Sequence, residues 1–487
     1  KLRKMLSRGE TEGVFQLESS GMKQVLVGLQ PQNLEDVIAL ISLYRPGPMD
    51  SIPTYLRNRH EPDKISYKTP QLAHILDVTN GCIVYQEQVM QIFRELAGFS
   101  FGQADNVRRA MSKKKHAVME AEREHFVHGC TDPGNECPGC VANGISEKIA
   151  NEIYDEMSSF ASYAFNKSHA ACYAYVAFQT AYLKCHYPRE FMAALLTSVL
   201  DSTAKVIEYS SECQRLGIKV LPPDINVSRG GFTVDGQSIR FGLNAVKSVG
   251  RDLIEAVIKE RESRPFRSLY DFCKRMRSNM LNRRALENLI KAGAFDSLNA
   301  TRKQMMMVYI QILDGVNKEN KDAWEGQMSI FDMADDSTKE KYKVKMPDVG
   351  EYTVDQKLAF EKEVIGIYAS GHPLSDMEEK WKRVITNMSL DFAVPEEGES
   401  YKIKDKSRVT VGGIITTVTR KFTKRGNQMA FLTLEDLVGT VEIVVFPREF
   451  YKYREILMEG RKIFITGEAD IQENAPGKVK ASEIKEF

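Results

Sequence analysis

The apolar pattern changes period once along this 487-residue chain, and that change does most to limit the fold. Before it, apolar side chains recur every three or four residues. Ile145, Ile149, Ile153, Met157 and Phe160 form one such stripe, and an alanine-rich stretch runs from Ala170 to Lys184 ahead of Pro188. From Arg408 the pattern becomes that of strands. Val409 to Val418, Met429 to Leu434, Thr440 to Phe446 and Lys462 to Thr466 are rich in β-formers, and a helix-like Phe450 to Met458 precedes the last of them. A length of this order predicts roughly three domains. The expected fold is therefore multidomain and mainly α, with a C-terminal all-β barrel. Five short strands with one helix after the third fit a small Greek-key barrel of the OB type.

Turn residues divide the helical part. Arg45-Pro46-Gly47-Pro48 is one loop, and a Cys/Gly/Pro-rich loop runs from Gly129 to Gly144. Residues 201–300 read as short helices around tight turns. Residues 315–350 are polar and charged around an apolar island, Met328 to Met333, which is linker composition.

Composition excludes several classes. With 43% hydrophobic and 27% charged residues, disorder is not the dominant state. No apolar run approaches the roughly 18 residues of a membrane span, so no integral membrane protein is expected. The net charge of +1 names no partner, so a nucleic-acid reading must rest on local charge. Eight cysteines in a chain this long are not a disulfide scaffold, and Lys1 to Lys4 lead into polar sequence with no secretory apolar region. A reducing cytoplasm is the expected location. The start at Lys1 and the stop at Phe487 read as those of a segment of something longer.

Catalytic signatures are sparse. No two aspartates are spaced Asp-x-Asp, the clustering a two-metal phosphoryl-transfer site uses. Gly477-Lys478 lacks the preceding glycine of a P-loop, and neither Gly-x-Ser-x-Gly nor His-Glu-x-x-His occurs.

Signals for phosphate are stronger. Arg108, Arg109, Lys113, Lys114 and Lys115 put five cations into eight residues, a crowding that an anion would relieve. A solvated face is the alternative, since Glu120, Glu122 and Glu124 follow. Asn166-Lys167-Ser168-His169 opens the alanine-rich helix, and such a start is either a triphosphate cradle or an ordinary N-cap with Ser168 capping. Lys247-Ser248-Val249-Gly250 before an amphipathic helix has the form of a helix-hairpin-helix, whose turn lets backbone N–H groups approach a DNA phosphate. Leu281 to Leu298 repeats it loosely with Arg283, Arg284 and Lys291; a plain helical linker is the alternative. In the barrel, Phe422, Phe431 and Phe446 accompany Arg420, Lys421, Lys424 and Arg425, a pairing that suits single strands. Finally, Cys137-Pro138-Gly139-Cys140 is a Cys-x-x-Cys knuckle. With Cys130 and His128 (or His125) it forms a candidate structural Zn2+ site, against a loop with free thiols.

These pieces occur within longer motifs. Thr11-Glu12-Gly13-Val14-Phe15-Gln16-Leu17-Glu18-Ser19, Leu43-Tyr44-Arg45-Pro46-Gly47-Pro48, Val84-Tyr85-Gln86-Glu87-Gln88-Val89-Met90, Arg108-Arg109-Ala110-Met111 and Phe165-Asn166-Lys167-Ser168-His169 stand in this order, followed by Leu221-Pro222-Pro223-Asp224-Ile225-Asn226 and Gly371-His372-Pro373-Leu374. The chain resembles, along nearly its whole length, the alpha subunits of bacterial DNA polymerase III, the C-family replicative polymerases. That resemblance implies helical fingers over 1–200, a tandem helix-hairpin-helix over 201–314, and a linker over 315–350. A connecting segment over 351–400 and an OB-fold over 401–487 would follow. The catalytic aspartates that hold Mg2+ would lie in a palm outside this segment, which explains the missing Asp-x-Asp. Arg45, Arg108, Arg109, Lys167 and His169 would face the triphosphate, with Asn166 and Tyr173 shaping the dNTP pocket. Lys113, Lys114, Lys247, Ser248, Gly250, Arg283, Arg284, Lys421, Lys424 and Arg425 would meet primer-template or single-stranded DNA. Gln327-Met328-Ser329-Ile330-Phe331 looks like the family's peptide for the sliding clamp, with Gln327, Ile330 and Phe331 as contacts; local packing of Phe331 is the alternative. Other replisome subunits would be further partners. A different class of function is a non-catalytic DNA-binding scaffold built from helix-hairpin-helix and OB modules.

Overall fold

The computed structural model describes residues 1–45, 48–112, 116–161, 165–276, 281–324, 345–393, 401, 403–423, 426–472 and 475–487. Two units divide at His186 and Tyr187. Among the described residues no helix is long and apolar enough to cross a membrane.

Helices build the first unit around two cores. Alanine, the best helix former, makes the helix Lys167–His186 both stable and thin. Ala170, Ala174, Ala177 and Ala181 are fully buried at helical spacing, so this helix lies close against Leu34–Leu43, whose Ile38, Leu40 and Ile41 share the core. The second core gathers Phe93, Phe126 and Tyr154 from the helices Gln86–Ala97, His116–His128 and Glu147–Ala161. Phe93 meets Phe126 edge-on at 5.0 Å between ring centroids. A single parallel bridge, Tyr85 to Phe165, sets the starts of Gln86–Ala97 and Lys167–His186 side by side.

The second unit has one large helical core. The helix Pro188–Ser198, which the sequence reading placed at the end of the first domain, contributes Met192 and Leu196 to this core. A small sheet of β1 (Val220–Leu221), β2 (Thr233–Asp235) and β3 (Ser238–Arg240), in the order β1-β3-β2, was not anticipated. Strands of two or three residues are too short to show a period. The helices Arg251–Ser263, Leu269–Arg275 and Arg283–Lys291 follow. Next comes Arg302–Trp324, so 315–324 is helical where linker was expected; Val316 is buried and anchors it. The helix Val354–Ile365 docks on the same core through Val364 and Ile365.

A buried charge ties these helices together. Arg302 is 1% exposed; its Nη2 donates to Asp296 Oδ2 at 2.6 Å and to Glu361 Oε1 at 2.9 Å. Glu361 is fully buried, and its second oxygen accepts the Ser370 N–H at 2.9 Å. Gly293 makes room at φ +81°, for a Cβ there would stand 2.2 Å from Arg302 Nη2.

The barrel has the expected topology. Strands β4 (Arg408–Phe422), β5 (Gln428–Glu435), β6 (Thr440–Val445), β7 (Lys462–Gln472) and β8 (Ala475–Glu486) close in the order β4-β5-β6-β8-β7, with the helix Pro447–Tyr453 after the third strand. Val409, Val411, Leu432, Leu434, Ile463 and Ile465 alternate into its interior. Trp381 fastens the outside of the barrel, donating from Nε1 to Gly412 O at 2.6 Å. His372 Nδ1 accepts from Leu374 N at 3.2 Å, while its Nε2 is buried without a partner among the described residues.

Two outcomes follow from these buried groups. Replacing Arg302 by Met leaves Glu361 buried and unpaired, and chemical denaturation should show a loss of about 3–5 kcal/mol. Burial holds the His372 imidazole down to about 4; Asp436 opposes this, while Lys362 and Lys462 add to it. The unfolded imidazole takes its proton near 6.5, so stability is fully present above about pH 6.5 and falls as pH drops toward 4. Melting temperature against pH should show that decline, and His372→Gln should flatten it.

Candidate nucleotide and nucleic-acid sites

The paired helix starts open onto a cleft of about 630 Å³, lined in part by Gln86, Glu87, Asp105, Arg108, Asn166 and Lys167. Asn166 rather than Ser168 is the N-cap of Lys167–His186, its Oδ1 accepting the His169 N–H at 2.9 Å. Glu87, in the first turn of Gln86–Ala97, accepts from Asn166 Nδ2 at 3.0 Å and from Lys167 N at 3.1 Å. One carboxylate thus sits where the positive ends of two helices meet.

The cleft cations are held by acids of the same unit. Lys167 Nζ lies 3.0 Å from Glu35 and 5.2 Å from the centroid of the Tyr85 ring. Arg108 donates to Gln86 Oε1 at 2.9 Å and to Asp105 at 2.7 Å, and Arg109 reaches the other Asp105 oxygen at 2.8 Å. The hydrogen bond from Arg108 holds the Asp105 carboxyl below its usual range. Arg109 is mostly exposed and does not line the cleft. Arg45, His169 and Tyr173 come together beside it. The Arg45 guanidinium lies 3.5 Å from the Phe165 ring centroid, Phe165 is 5.2 Å from His169, and His169 is 4.5 Å from Tyr173. Lys113 and Lys114 lie outside the described residues.

In the second unit the hairpin before Arg251–Ser263 differs from the expected turn. Ser248, not Gly250, takes the left-handed conformation, at φ 64°. Gly250 is the extended N-cap at φ −74°, and a Cβ there would meet nothing within 4 Å. Lys247 is exposed yet tied to a neighbouring helix: its Nζ donates to Glu363 O at 2.6 Å and its N–H to Val364 O at 3.0 Å, satisfying terminal carbonyls of Val354–Ile365. Arg283 pairs with Asp314 at 2.7 Å, whereas the exposed Arg284 has no partner among the described residues. On the barrel, Lys421 lies over Phe431 at 5.1 Å, and Phe422 is 69% exposed. Lys424, Arg425, Gln327, Ile330 and Phe331 lie outside the described residues.

Comparison with known proteins follows the same order of parts. Residues 1–134 match the bacterial DNA polymerase III alpha subunit finger domain, 217–305 a helix-hairpin-helix motif and 409–487 an OB-fold nucleic acid binding domain. DNA polymerase III subunit alpha of Bacillus subtilis (strain 168) is 40% identical over 470 residues, which cover 96% of this chain and 40% of that protein. Its counterpart from Thermus aquaticus is 41% identical over 473 residues, covering 96% and 37%. That from Borreliella burgdorferi is 38% identical over 465 residues, covering 95% and 39%. The chain belongs to the bacterial DNA polymerase III alpha subunit family. It spans about two fifths of the length of these relatives.

In this family member the cysteine loop packs against the second core. Cys130 and Cys137 oppose each other in an antiparallel bridge with 2.9 Å backbone hydrogen bonds, and both join Cys140 in the Phe93 core. Burial pushes the Cys140 thiol up to about 12 and raises Cys137 as well. His128 approaches Glu124 and Glu147 instead, at 3.9 and 3.8 Å. Among the described residues no three His, Cys, Asp or Glu side chains converge as metal ligands.

The sequence reading of the alpha subunit fingers missed the acids. Glu35 and Asp105 hold the cations and Glu87 holds the start of Lys167–His186, yet looking for phosphate contacts selects only positive residues. The signal was present in Glu87, inside the Val84 to Met90 motif.

Gly250→Ala should leave the melting temperature unchanged, because its φ suits any residue. It should still weaken duplex binding by crowding the backbone N–H groups, with the same salt dependence as wild type. Arg284→Ala, which removes one cation, should instead lower the slope of log affinity against log salt by about one. Fluorescence anisotropy over a salt series separates the two effects.

Proposed function

We propose that this chain supplies the fingers, the duplex-gripping module and the single-strand-binding barrel of a bacterial replicative DNA polymerase. The observation that carries the reading is the single cleft that unites Arg108, Asn166 and Lys167 at two helix starts. An incoming dNTP places its triphosphate against Arg108 and Lys167 and draws in the exposed Arg109 from outside the cleft, beside Arg45 and His169, with Asn166 and Tyr173 shaping the pocket. In the free chain Glu35, Glu87 and Asp105 hold several of these groups. A triphosphate carries more charge than any one carboxylate and displaces them. The cations then stabilise the charge that develops as pyrophosphate leaves.

The other modules hold the nucleic acid. The helix-hairpin-helix grips primer-template DNA through backbone N–H groups and Arg284, without reading sequence. The barrel takes single-stranded template on Phe422 and the neighbouring cations. Gln327, Ile330 and Phe331 engage the sliding clamp, and other replisome subunits share the assembly in the cytoplasm. The carboxylates that hold Mg2+ belong to a palm outside these 487 residues, so this chain alone does not polymerise. A non-catalytic scaffold is disfavoured because it has no use for a finger domain.

Calorimetric titration of Mg2+–dATP into the purified chain tests the reading. Lys167→Ala and Arg108→Ala should each weaken binding roughly 30–150-fold, the worth of one charge-assisted contact of ~2–3 kcal/mol. Unchanged affinity in both variants would remove these residues from the site.

A further inference from the structure

His169, Tyr173, Thr180 and Lys184 lie within about 60° of arc on the helix Lys167–His186, at 3.6 residues per turn. The C-terminal half of that face is covered by the loop 11–18. Thr180 Oγ1 accepts the Phe15 N–H at 3.1 Å, and the buried Lys184 Nζ donates to Glu12 O at 2.8 Å. The loop is also closed on itself. The buried Thr11 hydroxyl donates to Leu17 O, Leu17 N–H donates to Val14 O at 3.1 Å, and Gly13 N–H donates to Glu18 Oε1 at 2.9 Å. Between these anchors Gln16 is held at φ 64°, a conformation that a residue with a Cβ keeps only when its surroundings impose it. Gln16 is exposed, and its side-chain amide has no partner among the described residues.

The N-terminal half of the same face is open. Phe15, 38% exposed, stands 5.3 Å from Tyr173 and continues the row through His169 to Phe165, where Arg45 covers the end. Four rings and a guanidinium therefore form a ledge that leads to Asn166 and Lys167 at the cleft. The loop is bolted to the helix that carries Tyr173 and His169, so the ledge is set before any ligand arrives. The rings are tilted against one another, by 42° between Phe15 and Tyr173, so the exposed Phe15 ring at the outer end, with the free Gln16 amide next to it, is the face offered to a ligand. A single open ring beside a free amide matches one ligand chemistry, a nucleobase, which has a stacking face and a polar rim.

The geometry points to the loop 11–18 as a nucleobase-stacking ledge, with Phe15 stacking on the base and the Gln16 amide meeting its polar edge. This role rests on the nucleotide reading of the adjoining cleft. The base can belong to an incoming nucleotide or to a single-stranded template, and both share this chemistry.

Affinities of the purified chain for four probes test the assignment: dATP, inorganic tripolyphosphate, a short oligo(dA) and an abasic oligomer of the same length. Phe15→Leu keeps an apolar side chain but removes the ring. It should weaken dATP or oligo(dA) about 10-fold, the worth of one stacked base, and leave tripolyphosphate and the abasic oligomer unchanged. Loss for dATP identifies the incoming base, and loss for oligo(dA) a template base. Unchanged affinity for both, at the wild-type melting temperature, overturns the ledge. If Phe15→Leu melts early, Gln16→Gly decides. Glycine suits the left-handed backbone, so this variant deletes only the amide; it should alter the ranking of dATP against dGTP, dCTP and dTTP, and an unaltered ranking overturns the proposal. Lys167→Ala reports separately on the cleft. If it leaves tripolyphosphate binding intact while Phe15→Leu loses dATP, the phosphate reading fails and the ledge stands.

Discussion

The close packing of one thin helix sets the first unit. Ala170, Ala174, Ala177 and Ala181 present almost no side chain, so one face of Lys167–His186 can lie close against Leu34–Leu43. A larger residue at any of these positions would force the helices apart or leave its own atoms strained. Because the helix axis is fixed, so is its first turn. Asn166, Lys167, His169 and Tyr173 owe their placement to packing that occurs several residues further along.

Electrostatics then decides what that first turn can do. Two helix starts concentrate partial positive charge, and Arg108 and Lys167 add full charges. Left alone, such a group would repel itself. Glu35, Glu87 and Asp105 relieve the repulsion by hydrogen bonds near 3 Å, so the site is balanced before any ligand enters. An anion that binds must exchange with these carboxylates. Weak anions gain little from that exchange, whereas a polyphosphate gains several contacts at once.

The second unit reaches its order by different means. Arg302 and Glu361 are buried together, and each is fully engaged, which is the condition under which a buried ion pair does not undermine a core. The pair joins the second hairpin to the helix Val354–Ile365. Lys247 joins the first hairpin to the same helix by occupying its terminal carbonyls. A lysine that reads from sequence as a DNA contact is thus engaged by the fold, whereas the exposed Arg284 has no partner among the described residues. Trp381 and its bond to Gly412 attach the barrel.

Much of this was legible in the residues. The change of period at Arg408 determined that a β barrel follows helical parts, since alternation and a helical stripe demand different neighbours. The alanine stretch determined a long helix, and Asn166 and Lys167 were placed at its start. The motifs together determined the family. Tertiary structure decided the rest. Which cations remain free depends on groups distant in sequence: the Glu35 carboxylate for Lys167, the Asp314 carboxylate for Arg283 and the Glu363 backbone carbonyl for Lys247. The cysteine spacing suggested a zinc knuckle; that Cys130, Cys137 and Cys140 are buried with the Phe93 core is something spacing cannot show. Phe15 and Tyr173 are more than 150 residues apart, and only the fold sets their rings 5.3 Å from each other. Local pattern specifies elements because helix and strand periods are local properties. A site is a coincidence of distant side chains, and that is settled by packing alone.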